Sequence, residues 1–380
     1  MTFILLILLI WSTVACVWWL AALYLVHLGV HPPQPHSPSG KIEPLLSIFK
    51  PLPRLGPAGA SPSLQRALAS FVSQLDAHSE MLLGIHAEDA GSLQPWLETL
   101  SALAPPGALR ILARADPDIH ANPKIAWLAW LAPQAHGEIW LWSDVDIVAP
   151  PGWLVKARDA LGRTTTRLVT FPYYVRQPVH SQGWWDAAFV NAEMLPGAVL
   201  MAKTNRPVKF AFGAAMLFRR EDFLARCNWV DLGANLADDF ALGHAMQPCR
   251  ISLPALETLA EESTWLGALR HYQRWHKTIR WCQPAGYAAL LAILPLVGWL
   301  ACLLANPGSL PALTGFLAQY IFEFIVIIII SRRTGAAVAA NDTLPLLAWP
   351  GLRSLMWMAS WLPLGVRWRQ HTWSGPRKPV

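Results

Sequence analysis

Three hydrophobic patterns follow one another along the chain. Residues 3–26 are almost wholly apolar, and no Asp, Glu, Lys or Arg occurs before position 41. A run of that length crosses a bilayer as a helix. It lacks the basic start, the shorter apolar stretch and the small-residue cleavage site of a signal peptide, so residues 1–30 read as an uncleaved anchor. Residues 31–40, rich in Pro, Ser and His and without periodicity, read as a tether.

From residue 41 the apolar runs shorten. Those at 45–49, 81–85 and 110–113 predict strands. Between them Leu64, Leu68, Phe71, Val72 and Leu75, and then Trp96, Leu97, Leu100 and Leu103, recur at helical spacing. Ser61-Pro62 has the form of a helix cap followed by proline in the first turn. The alternation outlines a doubly wound α/β domain. The run Glu138-Ile-Trp-Leu-Trp-Ser-Asp144-Val-Asp146-Ile147 reads as its central parallel strand, because an apolar run without alternation needs both faces covered. Asn122-Pro123 predicts the start of a helix over 124–131, and further strands are expected at 168–171, 212–218 and 250–253. The small residues of 212–218 predict that something approaches its backbone closely. The aromatic segment 183–189 is read as core packing in preference to a helix at the membrane face.

The third pattern begins at Gly286. Residues 287–304 and 313–330 are each of bilayer length, separated by Asn306-Pro-Gly308. Glu323 inside the second is costly in lipid and predicts a partner helix. Residues 343–364 carry Pro345, Pro350, Arg353 and Pro363, and three readings stay open: they span, re-enter or lie in the interface. The resulting plan is an anchor (1–30), a linker (31–40), a catalytic domain (41–262), a basic interfacial helix (263–283), transmembrane or re-entrant helices (284–366) and a basic tail (367–380).

Composition agrees with a membrane protein: 54% of the 380 residues are hydrophobic and only 14% are charged. The formal net charge of +6 suits anionic headgroups or a phosphate-bearing substrate, and no lysine-rich or aromatic-basic tract points to nucleic acid. Five scattered cysteines give neither a metal spacing nor a disulfide framework. Arg332-Arg333 closes the second C-terminal span, and a basic end marks the cytoplasmic side. A two-helix hairpin then puts residues 41–280 on that side too, where nucleotide-activated donors are found.

The candidate chemistry is acidic. Asp144 and Asp146 fall at the carboxyl end of the central strand, where open α/β sheets bind ligands. They are either solvated loop residues or a pair joined by a hard cation such as Mg²⁺ or Mn²⁺. Asp238-Asp239 opens a second short helix, where one aspartate is explained by the helix dipole and a pair is less usual. Lys124, in a first helical turn, runs against the dipole; it either meets phosphate in a cleft or is an ordinary exposed lysine. Arg270, Arg274 and Lys277 stand at i, i+4 and i+7, which predicts one basic helix face for lipid phosphate or a leaving pyrophosphate.

These segments resemble the membrane-bound family 2 and family 21 glycosyltransferases of the ceramide glucosyltransferase type, including hopanoid-associated bacterial members. Asn122-Pro-Lys-Ile125, Trp142-Ser-Asp144-Val-Asp146, Ala237-Asp238-Asp239-Phe240 and His271-Tyr-Gln-Arg274-Trp275 carry the resemblance. It implies a GT-A-like α/β domain, framed by N-terminal and C-terminal transmembrane helices. It further implies an inverting, metal-dependent transfer of glucose or N-acetylglucosamine from a UDP-sugar to a ceramide or hopanoid hydroxyl, at the cytoplasmic face of a bacterial inner membrane. By the same resemblance Asp144 and Asp146 bind the metal and the donor diphosphate, Asp239 is the general base with Asp238 beside it, and Arg274 with Trp275 meets the diphosphate. Glu88 or Asp89 takes the nucleobase-holding acid's role, and Lys124 lines the donor site. His271 departs from the family's usual Gln or Arg. Two rival readings are a processive polysaccharide synthase and a non-catalytic membrane scaffold.

Overall fold

The computed structural model describes residues 2–31, 44–115, 122–162, 166–368 and 371–376. The expected linker and most of the polar loop before Asn122 lie outside them. The N-terminal run forms one helix, α1 (Thr2–Val30). The predicted alternation follows as β1 (Leu46–Pro51), α2 (Pro62–Val72), β2 (Ser79–His86), α3 (Ala90–Ser101), β3 (Leu109–Arg114), α4 (Pro123–Leu131) and β4 (Ile139–Ser143). Ser61 caps α2 by accepting the Leu64 amide, and Asn122 caps α4 by accepting those of Lys124 and Ile125. Next come β5 (Ile147–Val148), α5 (Trp153–Gly162), β6 (Leu168–Phe171), β7 (Tyr173–Val175), α6 (Trp184–Ala188) and α7 (Leu195–Thr204). They are followed by β8 (Ala215–Arg219), α8 (Arg220–Arg226), α9 (Trp229–Gly233), α10 (Asp238–Ala245), β9 (Cys249–Ile251) and β10 (Leu256–Thr258).

The main sheet has the order β3-β2-β1-β4-β8-β6-β9. It is mixed, so the central strand is parallel on one side only: β4 runs parallel to β1 but antiparallel to β8, and β8 is antiparallel to β6 as well. The apolar run at β4 reported burial on both faces, and an antiparallel neighbour satisfies that equally. One face packs α2, α3 and α5 through Leu68, Leu97 and Trp153; the other packs α4 and α8 through Leu128, Trp142 and Phe223. A small second sheet, β5-β10-β7, crosses the end of β4.

After β10 come α11 (Trp265–Cys282), α12 (Pro284–Ala289), α13 (Pro295–Ala305), α14 (Leu310–Arg333) and α15 (Ala340–Ser360). Among the described residues two helices, α1 and α14, are long and apolar enough to cross a membrane. The expected straight span over 287–304 is instead a pair, 284–293 and 295–305, bent by 67° at the Leu294-Pro295 junction. Proline lacks the N–H that would carry the helix through. By contrast α15 runs unbroken through Pro345 and Pro350. A third core joins the domain to these helices through Trp19, Trp184, Tyr272, Ile327 and Trp349, so the 183–189 segment is core, as read. The tail is not a loose basic strand: β11 (Val366–Trp368) and β12 (His371–Trp373) form a hairpin with Trp373 buried.

Candidate active site

The chain breaks sharply after β4, and the two acids of that break face different partners. Asp144 Oδ1 lies 2.7 Å from Lys124 Nζ. Asp146 Oδ2 accepts the Thr258 hydroxyl at 3.3 Å, and its carbonyl accepts the Leu259 amide. The small sheet thus pins the second acid while leaving the first on α4. Beneath them Lys50, fully buried at the end of β1, donates to Ser143 Oγ at 3.0 Å and to the Asp144 carbonyl at 2.6 Å, over the Phe71 ring. Burial pulls the Lys50 ammonium down to about 7, against Asp146 and Asp144, which hold it up. Lys50 was not among the residues the sequence marked; a lysine directly after the apolar run 45–49 was the signal for its role.

The Asp238-Asp239 pair arrives from the opposite side. Asn122 Nδ2 meets Asp238 Oδ1 at 3.3 Å, and Lys124 Nζ stands 3.3 Å from Asp238 Oδ2. Burial by itself would lower the Lys124 ammonium; Asp144 and Asp238 outweigh it and hold the group above its ordinary value. Neither open reading of Lys124 anticipated a bridge between the two acidic motifs. Asp239 turns the other way, accepting the Gly213 amide at 3.0 Å and the Phe240 amide at 2.8 Å. Two glycines make this possible. A Cβ on Gly213 would stand 3.3 Å from Asp239 Oδ2 and 3.6 Å from Asp144 Oδ2, so both carboxylates close on one backbone position. A Cβ on Gly243 would overlap the backbone of Phe210 and Ala211, so α10 sits this close only because that side chain is absent. The close approach expected for 212–218 occurs here.

Burial, with the Asp144 charge next, raises Asp146 above the usual carboxylate range; burial and Asp238 do the same for Asp239. Tyr173 at the start of β7 completes this wall. Its phenol is pushed up by burial and then by the charges of Asp239, Asp144 and Asp146. Tyr173 was not among the residues the sequence marked, and nothing local distinguishes it from Tyr174.

The basic face predicted on α11 does not act as one surface. Arg270 is exposed, while Lys277 is buried and donates to the Leu362 and Leu364 carbonyls. Arg274 enters the site: burial lowers its guanidinium, opposed by Asp186, Tyr173, Asp239 and Glu262. One helix face here passes through three environments, which spacing alone does not resolve. His271 Nδ1 pairs with Asp186 Oδ2 at 2.7 Å, and Trp275 stacks on Phe189 with centroids 5.1 Å apart.

The two acids at the end of β2 stand elsewhere. Asp89 is buried and accepts the Leu55 and Gly56 amides at 2.8 and 3.2 Å, holding the loop after β1. Glu88 is exposed and pairs with Arg54. The structure brings together Asp144, Asp146, Asp238, Asp239, Lys124 and Arg274 and gives Asp89 and Glu88 separate partners.

Among the described residues no group of three His, Cys, Asp or Glu is arranged to hold a metal. Asp144 and Asp146 nonetheless fit a hard divalent cation. Both offer oxygen ligands at the break after β4, Asp144 against the Lys124 ammonium and Asp146 against the Thr258 hydroxyl, and a hard cation takes oxygen ligands. Two carboxylates leave most of such an ion's coordination to other oxygens, those of a bound phosphate or water.

The chain is similar to the mannosyltransferase PcManGT from Pyrobaculum calidifontis, solved in complex with GDP-Man and Mn2+. That similarity has 17% identity and a TM-score of 0.51 and covers 93% of this chain and 99% of that one, a likeness of fold. S. aureus TarS matches over 61% of this chain and 39% of its own, at 14% identity and a TM-score of 0.39. No curated protein matches. The family described as Glycosyl transferase family 21 matches residues 5–376, nearly the whole chain, and the protein belongs to that family of glycosyltransferases.

Proposed function

We propose that this protein is an inverting glycosyltransferase of the GT-A type that moves a sugar from a nucleotide-diphosphate donor, a UDP-sugar, to the hydroxyl of a membrane lipid at the cytoplasmic face. The observation that carries the reading is the meeting of Asp144 and Asp239 at Gly213, within reach of Arg274 on a helix that packs on the membrane helices. The basic end of α14, where the Arg333 guanidinium bonds the Leu23 carbonyl of α1, supports the cytoplasmic assignment.

In this reading the lipid hydroxyl attacks the anomeric carbon from the side opposite the diphosphate. The bond from that carbon to the phosphate oxygen breaks, and the hydroxyl proton passes to Asp239. An alcohol is too weak an acid to lose that proton beforehand, so a carboxylate within hydrogen-bond reach takes it in the transition state. Gly213 and Phe240 amides fix the Asp239 carboxylate in orientation, and Asp238, held by Asn122 and Lys124, keeps the start of α10 in place. Arg274 meets the departing nucleoside diphosphate, with Trp275 beside it. Asp144 and Asp146 would hold a divalent cation, Mg²⁺ or Mn²⁺, whose chemistry is to offset the charge of the donor's two phosphates. The Mn2+ and GDP-Man carried by the structural neighbour support that part. Lys124 lines the same donor side. Asp89 or Glu88 remains our choice for the nucleobase contact, Asp89 through the loop it holds. Ceramide and hopanoid are the acceptor classes we favour, with glucose or N-acetylglucosamine as the sugar.

The test is purified protein in lipid nanodiscs with labelled UDP-sugars and a lipid extract. A labelled glycolipid is expected, its formation reduced at least about 10²-fold in Asp239→Asn with little change in donor binding. A long polymer would favour a synthase, and no product from any donor would favour a scaffold. Near-normal turnover of Asp239→Asn beside a dead Asp238→Asn would reverse the roles of the pair.

A further inference from the structure

We propose that Lys124 is the resident cation of the donor-free site, holding Asp144 against Asp238, and that it gives Asp144 up when a divalent cation and donor bind. The inference rests on the reading of Asp144 and Asp146 as metal ligands and goes beyond it. Lys124 Nζ lies 2.7 Å from Asp144 and 3.3 Å from Asp238, so one ammonium spans the two acidic motifs. Its helix is not free to drift. The Asn122 amide nitrogen bonds the Gly233 carbonyl, and its side chain bonds the Asn235 carbonyl and Asp238, so α4 and the approach to α10 are tied together. Asp146 is left out of the bridge, its carboxylate on Thr258.

Four carboxylates crowd this cleft, and Lys50 lies beneath them, its ammonium bonded to the Asp144 carbonyl and not to its carboxylate. The ammonium at contact distance on the Asp144 carboxylate is that of Lys124. An incoming divalent ion has to compete with an ammonium already at contact distance on a ligand it needs. Competition of this kind keeps the site from taking metal without the donor, whose phosphates offer Lys124 a replacement partner when it leaves Asp144. The same movement frees one side of Asp238, so arrival of the donor is felt at the neighbouring base.

The experiment measures Mn²⁺ binding alone, without donor, to the full chain in nanodiscs by titration calorimetry and by loss of the free-ion EPR signal. Lys124→Met removes the competitor at nearly constant volume, and Lys124→Arg keeps it. The expected result is that Lys124→Met binds Mn²⁺ at least about tenfold more tightly than wild type, a factor worth about 1.4 kcal/mol, with Lys124→Arg close to wild type. A lysine with only a structural role would give weaker binding on removal, not tighter. Unchanged or weaker binding in Lys124→Met, with Asp144→Asn still abolishing it, overturns the proposal and leaves the metal reading standing. Mn²⁺ binding that survives Asp144→Asn overturns both. If Lys124→Met does not fold, Lys124→Gln is read by the same criteria, and wild type itself must bind Mn²⁺ more tightly with UDP present than without it.

Discussion

Asp239 shows how much of the chemistry depends on single atoms. The adjacent Asp238 is held by the cap and first turn of α4, whereas Asp239 rests on two backbone amides and feels the charge of Arg274. Its carboxyl, like that of Asp146, titrates at about 6 because burial disfavours the charge. The base proposed above must be ionised to accept a proton, so on that proposal kcat/KM falls below about pH 6, with a slope steeper than one proton. The sign for stability is opposite. A carboxyl whose folded value is raised stabilises below its unfolded value, near 4, and loses that contribution as pH rises through 6. Asp239→Asn should therefore melt higher than wild type at pH 7, with the gain shrinking toward pH 5. A pH–rate profile and melting curves at several pH values check both statements, and a flat profile from pH 5 to 7 would refute the first.

At the scale of elements, α4 and α11 do the positioning. The cap of α4 is also a ligand of Asp238, so one side chain starts a helix and orients an active-site acid. Asn122→Ala is expected to cost about 1 kcal/mol for the cap, and about 1–3 kcal/mol more for the buried Asp238 oxygen left without its donor. Asn122→Asp keeps the cap but sets a carboxylate against Asp238. It should melt lower than Asn122→Ala at neutral pH, because two buried carboxylates then face each other, and turn over more slowly. Melting temperatures and single-turnover rates separate the two. On the other side α11 carries Arg274 inward while Lys277 ties it to the carbonyls that follow α15. The tail hairpin reaches back to the Leu236 amide through Pro376, one residue before Ala237 and the acidic pair.

Across the whole molecule, one buried cluster joins the α/β domain to the apolar C-terminal helices. Arg353 of α15 meets Glu323 of α14 at 2.9 Å and Glu193 at 3.6 Å, and Gln319 donates to Glu323 at 2.9 Å. Tyr272 of α11, one residue after His271, donates to Glu193 at 3.1 Å, so the cluster touches the helix that delivers Arg274. Glu193 is turned inward by a π-helical turn over Phe189–Met194, a distortion that re-aims side chains within a helix. Arg353→Met leaves two buried acids without their cation and should destabilise by roughly 3–5 kcal/mol. Adding Glu323→Gln should recover part of that loss, as thermal unfolding in detergent would show; no recovery would mean that Arg353 acts through packing on Trp19 and Trp349 alone.

Local pattern determined a good deal of this protein. The apolar N-terminal run, the strand–helix alternation from β1 to β3, the caps at Ser61 and Asn122 and the partner demanded by Glu323 follow from periodicity, capping chemistry and the cost of charge in lipid, all of which act over a few neighbouring residues. The spacing of Asp144, Asp146, Asp238, Asp239 and Arg274 marked where chemistry gathers. The sheet's mixed direction, the service of Lys50 beneath Asp144, the approach of Tyr173 and the bridge from Lys124 to two acids were decided only in three dimensions. Each depends on residues tens to more than a hundred positions apart meeting in one buried volume. There a charge's partner is chosen by which elements pack together, and no local pattern records that choice.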